Sequence, residues 1–175
     1  NDNNALRFNA GTGFRVVNLF TEDHAALTGA RDVVILNHLK PERSYNVNLN
    51  YSKKIYLPAG GIISLDATAF YTYFTNKIIP DYESDANKII YDNLSGHAIS
   101  KGASLNSDIT LRNGLKFITG LTLMSNTITE DNITTRQMLT ENFTGTWAIS
   151  YQLKPLFLTI DYTGNVYSPM RLPLL

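Results

Sequence analysis

The residues of this chain best suited to chemistry lie in one short segment, Thr21-Glu22-Asp23-His24. A histidine beside two carboxylates supplies the donor types of a transition-metal site. Adjacent residues point in different directions, however, and Thr21 could instead cap a short helix over 22–28. We take Glu22, Asp23 and His24 as candidate ligand-binding residues, and we expect no bound metal and no cofactor.

Arg15 is a further candidate, because it lies where a predicted strand enters a long loop. Its guanidinium group could form a structural salt bridge or contact an anionic ligand. The nearby Gly11-Thr12-Gly13 lacks the third glycine and the βαβ unit of a nucleotide-binding loop. Glycines at a strand end are instead typical of a bulge or of a close approach of another backbone.

Nothing else in the sequence indicates catalysis. His38 and His97 have no partner at ligand spacing, and no serine, histidine and carboxylate occur in a hydrolase context. The absence of cysteine excludes thiolate nucleophiles and thiolate metal sites. Because the 15 basic and 15 acidic residues cancel, no net charge points to nucleic acid, and the sequence contains no basic stripe. We therefore predict a protein that is not an enzyme and does not bind nucleic acid.

The turns predict how these residues are positioned. Long connections alternate strictly with tight turns along the chain: 16–42, 57–61, 77–97, 113–114, 128–139 and 154–155. In an up-and-down antiparallel sheet every second turn lies at the same end, so all the long connections share one end. Short turns on one side and long loops on the other are typical of an outer-membrane β-barrel.

Alternation of apolar and polar residues predicts about seven strands, several of about 12 residues or more. Such strands exceed the ~5–6 residues of a globular strand and suit a tilted membrane strand. In 103–112, Leu105 and Ile109 share one face, and Asn106 and Asp108 share the other. The apolar face would contact lipid and the polar face a hydrated lumen. Three carboxylates of the polar face are expected to pair with basic side chains: Asp66, Asp108 and Asp161 with Arg7, Arg112 or Lys116.

Composition and aromatic residues also favour a membrane location. Charged residues make up only 17% of the chain, below the ~25% of soluble domains. Seven aromatic residues near strand ends could form girdles at the headgroup level, or ordinary cross-strand pairs: Tyr45, Tyr56, Tyr71, Tyr73, Phe74, Tyr151 and Tyr167. The competing hypothesis is a soluble or surface-exposed β-sandwich that binds glycans.

Several motifs follow one another along the chain. Ala10-Gly11-Thr12-Gly13-Phe14-Arg15 precedes Leu39-Lys40-Pro41-Glu42-Arg43-Ser44-Tyr45-Asn46, and a long strand follows over 69–79. Ile90-Tyr91-Asp92-Asn93-Leu94 and Lys101-Gly102-Ala103-Ser104-Leu105 come next. Together these motifs resemble the β-barrel of TonB-dependent outer-membrane receptors, although Ser104 stands where that family usually has an acidic residue.

The resemblance implies an all-β fold, an antiparallel up-and-down transmembrane β-barrel. We expect residues 1–175 to form part of one barrel domain, a late internal piece of a barrel of about 22 strands. The N-terminus does not read as a signal peptide, and the plug domain and the TonB-contact motif are expected outside this chain. Arg15 would then contact either a ligand or the plug.

The implied function is energised uptake of a scarce nutrient across the bacterial outer membrane. The nutrient classes implied are siderophore-iron, haem, cobalamin and oligosaccharides. The implied partners are outer-membrane lipid, the small-molecule nutrient, the TonB system through regions absent here, and a surface lipoprotein. The long loops would determine which ligand is captured.

Overall fold

The computed structural model describes residues 3–16, 32–36, 38–81, 84–85 and 87–172. The described residues form strands in two sheets, and a 3-10 helix at Lys154–Leu156. The strands are β1 (Asn4–Arg15), β2 (Asp32–Ile35), β3 (Glu42–Tyr56), β4 (Gly61–Thr75), β5 (Ile78–Asp81), β6 (Lys88–Asn93), β7 (Gly96–Leu111), β8 (Leu115–Glu130), β9 (Ile133–Arg136), β10 (Phe143–Leu153) and β11 (Leu158–Tyr167).

The larger sheet is an up-and-down wall of seven long strands. Its order is β1-β3-β4-β7-β8-β10-β11, each strand is antiparallel to its neighbours, and β9 adds a short hairpin to β8. The seven strands have 10 to 16 residues, the length that a tilted membrane strand requires. In the described chain β1 and β11 do not pair, so the sheet is open. The prediction of about seven strands of an all-β, partial barrel is confirmed.

Tight turns and long connections lie at opposite ends of this wall, as predicted. Gly60 and Gly114 adopt positive φ angles of 81° and 90°, which explains the glycine in each tight turn. At the other end, Arg15 lies opposite Glu42, and Thr75 lies opposite His97. The strict alternation of connections therefore places all the long ones together.

The long connections contain more regular structure than the sequence indicated. β2 comes from the first connection, β5 and β6 come from the second, and they form a separate sheet of order β2-β6-β5. β2 runs parallel to β6, whereas β5 is antiparallel to it. In the third connection β8 continues to Glu130 before it turns into β9. The small sheet thus joins the first two connections to each other.

The register aligns the two predicted faces across the whole wall. One apolar row crosses all seven strands: Leu6, Tyr51, Ala67, Leu105, Leu121, Gly145 and Val166. The neighbouring row is polar: Arg7, Asn50, Thr68, Ser104, Thr122, Thr144 and Tyr167. From Arg43 to Asn50 every apolar-face side chain is exposed and every polar-face side chain is half-buried. Side chains crowd on the inside of a curved sheet, so the polar face is the concave one.

The register corrects part of the expected aromatic girdle. Four of the seven aromatic residues lie on the apolar face: Tyr45, Tyr71, Tyr73 and Tyr151. Tyr56, Phe74 and Tyr167 lie on the polar face, because each is an odd number of residues away from the apolar positions of its strand. For these three the girdle interpretation was wrong, since proximity to a strand end does not fix the face.

The buried apolar side chains of the described residues lie at the base of the long connections, not between two large sheets. They are Ile78, Leu94 and Ala98, with exposures of 4%, 4% and 1%. A β-sandwich would bury the apolar faces of two sheets against each other, whereas apolar residues such as Leu121 and Leu123 are exposed here. No helix in the described part of the chain is long and apolar enough to cross a membrane.

Candidate functional site

The side chain of Asn93 fastens the first two long connections together. Its Oδ1 accepts a hydrogen bond from the backbone N–H of Lys40 (2.6 Å). Its Nδ2 donates to the carbonyl oxygens of Lys40 (2.9 Å) and Asn76 (2.8 Å). One amide group therefore satisfies three backbone groups from two separate connections. Such a contact fixes where the small sheet leaves the wall.

Arg15 forms the salt bridge that its sequence position suggested. Its Nη2 lies 3.6 Å from Glu42 Oε2, and the Glu42 side chain is only 12% exposed. The same carboxylate oxygen accepts a hydrogen bond from the backbone N–H of Ile78 (3.2 Å). Glu42 thus connects the end of β1 to the start of β5. The Arg15 side chain is 53% exposed.

Lys77 extends this cluster to the third long connection. Its Nζ donates to Gln137 Oε1 (2.8 Å) and lies 4.8 Å from the centroid of the Phe74 ring, a cation–π contact. Burial lowers the pKa of Lys77 below 10.5; nearby Glu42 acts in the opposite direction, and Arg15 lowers the pKa further. Phe74 lies on the concave face, so the cluster covers the lumenal side of the wall at its long-loop end.

A cleft of about 630 Å³ opens between the second and third long connections. Its size is in the range of small-molecule sites. The charged residues that line it are of both signs: Asp81, Asp92, Glu130, Arg136 and Arg171.

Arg136 is the most constrained of these residues. Its Nη2 donates to the carbonyl oxygens of Thr140 (2.7 Å) and Pro169 (3.3 Å). Its Nε is buried and has no hydrogen-bond partner among the described residues. Arg171 contacts the same segment, because its Nη1 donates a hydrogen bond to the Arg136 carbonyl oxygen (3.4 Å). The cleft wall is therefore held by arginine contacts to the backbone. The lining carboxylates of Asp92 and Glu130 accept hydrogen bonds from the backbone N–H groups of Asn93 and Ser95.

The structure brings together only part of the predicted site. Arg15 lies in the cluster with Glu42 and Lys77 and does not line the cleft. Glu22, Asp23 and His24 fall outside the described residues. In the ranges that the structure describes, no group of three histidine, cysteine or acidic side chains could hold a metal ion.

Two other sequence expectations can be checked. Lys116 Nζ lies 3.6 Å from Asp108 Oδ2, so this predicted pair on the polar face is confirmed. Within the described residues His97 belongs to no group that could hold a metal ion, and its ring stacks on Tyr73 with a centroid distance of 5.2 Å.

Sequence reasoning missed the residues that join the connections, namely Asn93, Lys77, Gln137 and Arg136. Asn93 carried a usable signal, since it lies in one of the quoted motifs. Gln137 and Arg136 carried none, because Lys77 and Pro169, the residues to which they connect, are distant in sequence and their segment has no distinctive spacing.

The comparisons with known proteins agree with this geometry. A family model described as TonB dependent receptor-like, beta-barrel matches residues 1–169. Among solved structures, the FrpB iron transporter from Neisseria meningitidis (F3-3 variant) superposes with a TM-score of 0.63 at 14% sequence identity. The match covers 94% of this chain and 24% of that transporter, so the chain spans about a quarter of its length. No curated protein matches this sequence.

At that identity the likeness to the transporter concerns the fold, whereas the family match extends over nearly the whole chain. The open, seven-stranded wall with its long connections at one end is what a part of such a barrel requires. This chain belongs to the TonB-dependent receptor family and forms part of its β-barrel.

Proposed function

We propose that this chain supplies part of the wall and several ligand-capturing loops of a bacterial outer-membrane transporter energised through TonB. The observation that carries the proposal is the family match over residues 1–169. The position of all the long connections at one end of the wall supports it. The function is binding and gating, without bond-making chemistry. The plug and the TonB contact would come from other parts of the receptor.

The concave face supports a role as the lining of a hydrated route. Asn50 and Thr68 are cross-strand neighbours there, and Asn50 Nδ2 donates to Thr68 Oγ1 (2.9 Å). Lys116 and Asp108 pair further along the same face. Such groups hydrogen-bond to water or to the surface of a plug, whereas an apolar lining would resist wetting.

The loop end supports capture of a polar small molecule. The cleft presents arginines and carboxylates together, which suits a ligand with several hydrogen-bonding groups. We propose that Arg15, Glu22, Asp23 and His24 of the first connection contribute further contacts. A ferric complex is the first ligand to test, because the structural neighbour is described as an iron transporter. Haem, cobalamin and oligosaccharides are the other classes.

A growth and uptake experiment tests the proposal. The gene for the complete receptor is deleted, and cells are grown with iron complexes, haem, cobalamin or oligosaccharides as the limiting nutrient. We expect uptake of one class to fall and to return when the wild-type gene is restored, but only in cells that have TonB. Uptake that is unchanged for all four classes, or restored equally without TonB, would contradict the proposed function.

A further inference from the structure

The two faces of the wall differ in the charges that they carry. All carboxylates of the seven wall strands lie on the polar face: Glu42, Asp66, Asp108, Glu130 and Asp161. In the described strands the apolar face has no carboxylate but carries Arg43, Lys53 and Lys101, together with His97. If the apolar face merely excluded charged groups, it would lack cations as well as carboxylates. Among the described residues these outward cations have no carboxylate on their own face with which to pair.

Three of these four basic residues lie close together near the long connections. Arg43 and His97 flank Thr75 in one cross-strand row, about 10 Å apart at the usual strand spacing. Lys101 lies on the strand of His97, four residues nearer the tight turns, about 14 Å along the strand. Tyr73, between the two rows, stacks on His97. Lys53 lies alone near the other end of β3.

The cations are available to an external ligand. The side chains of Arg43 and Lys101 are exposed, and no carboxylate within the described ranges forms an ion pair with either. Hydroxyl groups surround them on the same face, from Tyr71 beside Lys101 and from Thr129 beside His97. Guanidinium, ammonium and hydroxyl groups are the donors that bind phosphate oxygens.

The height of the cluster matches the lipid headgroups. A tilted strand crosses the hydrocarbon in ~9–11 residues. Counting about that many from Leu111, at the tight-turn end of β7, reaches Lys101 at the outer hydrocarbon boundary and His97 above it. Tyr71 and Tyr73 lie at this level, where amphipathic rings are favoured. The lysine stem can lie along lipid while its ammonium group reaches the headgroups.

We infer that Arg43, His97 and Lys101 form a binding site on the outer surface of the wall for the phosphate groups of an outer-leaflet glycolipid. The inference rests on the proposed membrane placement, with the long connections outside. The cations span about 10 by 14 Å. That area fits a headgroup with two phosphates better than a single inorganic phosphate ion. Fixed phosphate contacts would hold a lipid beside the ligand-capturing loops.

The test measures lipid binding by the complete receptor, purified in detergent and stripped of lipid. The double variant Arg43→Gln/Lys101→Gln is compared with Lys53→Gln, which removes a cation from the same face at the opposite end. Diphosphoryl lipid A and its dephosphorylated form are the probes, and retained lipid is counted by native mass spectrometry. We expect the double variant to bind the diphosphoryl probe at least about tenfold more weakly, and Lys53→Gln to bind like wild type.

Three other outcomes would each overturn the inference. If the double variant binds the diphosphoryl probe as tightly as wild type, Arg43 and Lys101 do not form the site. If the double variant loses affinity equally for the dephosphorylated probe, the site does not recognise the phosphate groups. Competition by millimolar inorganic phosphate would assign the site to the free ion. Folding is checked by the heat-dependent gel shift of intact barrels; if the double variant does not fold, Arg43→Gln alone is used. Retained lipid binding in a receptor without TonB-dependent uptake would reject only the proposed function.

Discussion

At the scale of single residues, three side chains hold the long connections to the wall. Glu42 bridges Arg15 and the Ile78 backbone, Lys77 reaches Gln137, and Asn93 satisfies three backbone groups. Each joins segments that are distant in sequence. The long connections are therefore held at their base by a few polar contacts, beside the buried apolar side chains of Ile78, Leu94 and Ala98.

Asn93→Ala should loosen the junction of the first two connections. The change leaves the N–H of Lys40 and two carbonyl groups without their partner, at a cost of about 1–3 kcal/mol in local stability. Amide hydrogen exchange should accelerate in 38–40 and 76–78. Asn48→Ala removes an amide that has no described hydrogen bond and serves as the control. Unchanged exchange in both variants would show that the Asn93 contacts do not fix the junction.

Lys77 should titrate below 10.5, because burial disfavours its charged form. The unfolded chain then binds the proton more tightly than the folded one. The lysine contribution to stability therefore rises with pH, from the depressed folded pKa towards 10.5. An NMR titration of the Lys77 side chain measures the midpoint. Glu42→Gln removes the group that raises this pKa and should lower the midpoint further. A midpoint at or above 10.5 in the wild type would contradict the burial.

Residue-scale prediction from sequence succeeded where geometry is local. The pair Lys116–Asp108 and the salt-bridge role of Arg15 follow from strand alternation and from positions near strand ends. The partners of Lys77 and Asn93 could not be predicted, because both depend on how separate connections fold back over the wall.

At the scale of elements, the wall is defined by two faces that remain in register across seven strands. The tight turns were predictable because glycine with positive φ gives a local signal. The short strands β2, β5 and β6 were not, since they have four to six residues and β2 pairs with a strand from another connection. Strand length and long-range pairing, not composition, account for that difference.

The polarity of the faces predicts unequal costs for the same substitution. Leu121→Arg should lower the free energy of unfolding by ~2–4 kcal/mol, because this position lies near the middle of the lipid-facing side of β8. Thr122→Arg, one residue along on the concave side, should cost much less. Ile149→Arg should fall between them, since Ile149 lies nearer the tight turns, and Ser150→Arg is its control. Denaturant unfolding in lipid vesicles gives the values, and equal costs on both faces would reverse our assignment.

Position 164 should not tolerate alanine in place of glycine, although alanine adds only one methyl group. A Cβ atom there would clash with Cζ2 of Trp147 on the neighbouring strand. Gly164→Ala must therefore displace the ring, at about 1–3 kcal/mol. Trp147 is the one tryptophan of this 175-residue chain, so its fluorescence in an otherwise tryptophan-free receptor reports the displacement. Gly11→Ala, whose Cβ would meet Asn46 at an ordinary 3.5 Å, is the control. An unshifted emission maximum in Gly164→Ala would show that the ring does not pack on Gly164.

At the scale of the whole molecule, the chain is a wall segment whose function belongs to a larger barrel. The family match, the open sheet and the position of the long connections at one end of the wall all support this conclusion. The resemblance predicted the fold class, because family motifs report on strand ends and turns. The ligand was not predictable, because the cleft is formed by loop residues without a portable motif, such as Arg136 and Arg171.

The central claim is that the long connections face the cell exterior and the tight turns face the periplasm. This chain has no cysteine, so a single cysteine introduced into it is the one thiol in this part of the receptor, and any cysteine elsewhere in the receptor is first replaced by serine. Ile133→Cys, in β9 of the third long connection, is 67% exposed, and Ala59→Cys lies in the exposed first tight turn. Both variants are treated on intact cells with a membrane-impermeant maleimide. We predict that Ile133→Cys is labelled at once and that Ala59→Cys is labelled only after the outer membrane is permeabilised. Labelling of Ala59→Cys on intact cells with Ile133→Cys protected would contradict the account.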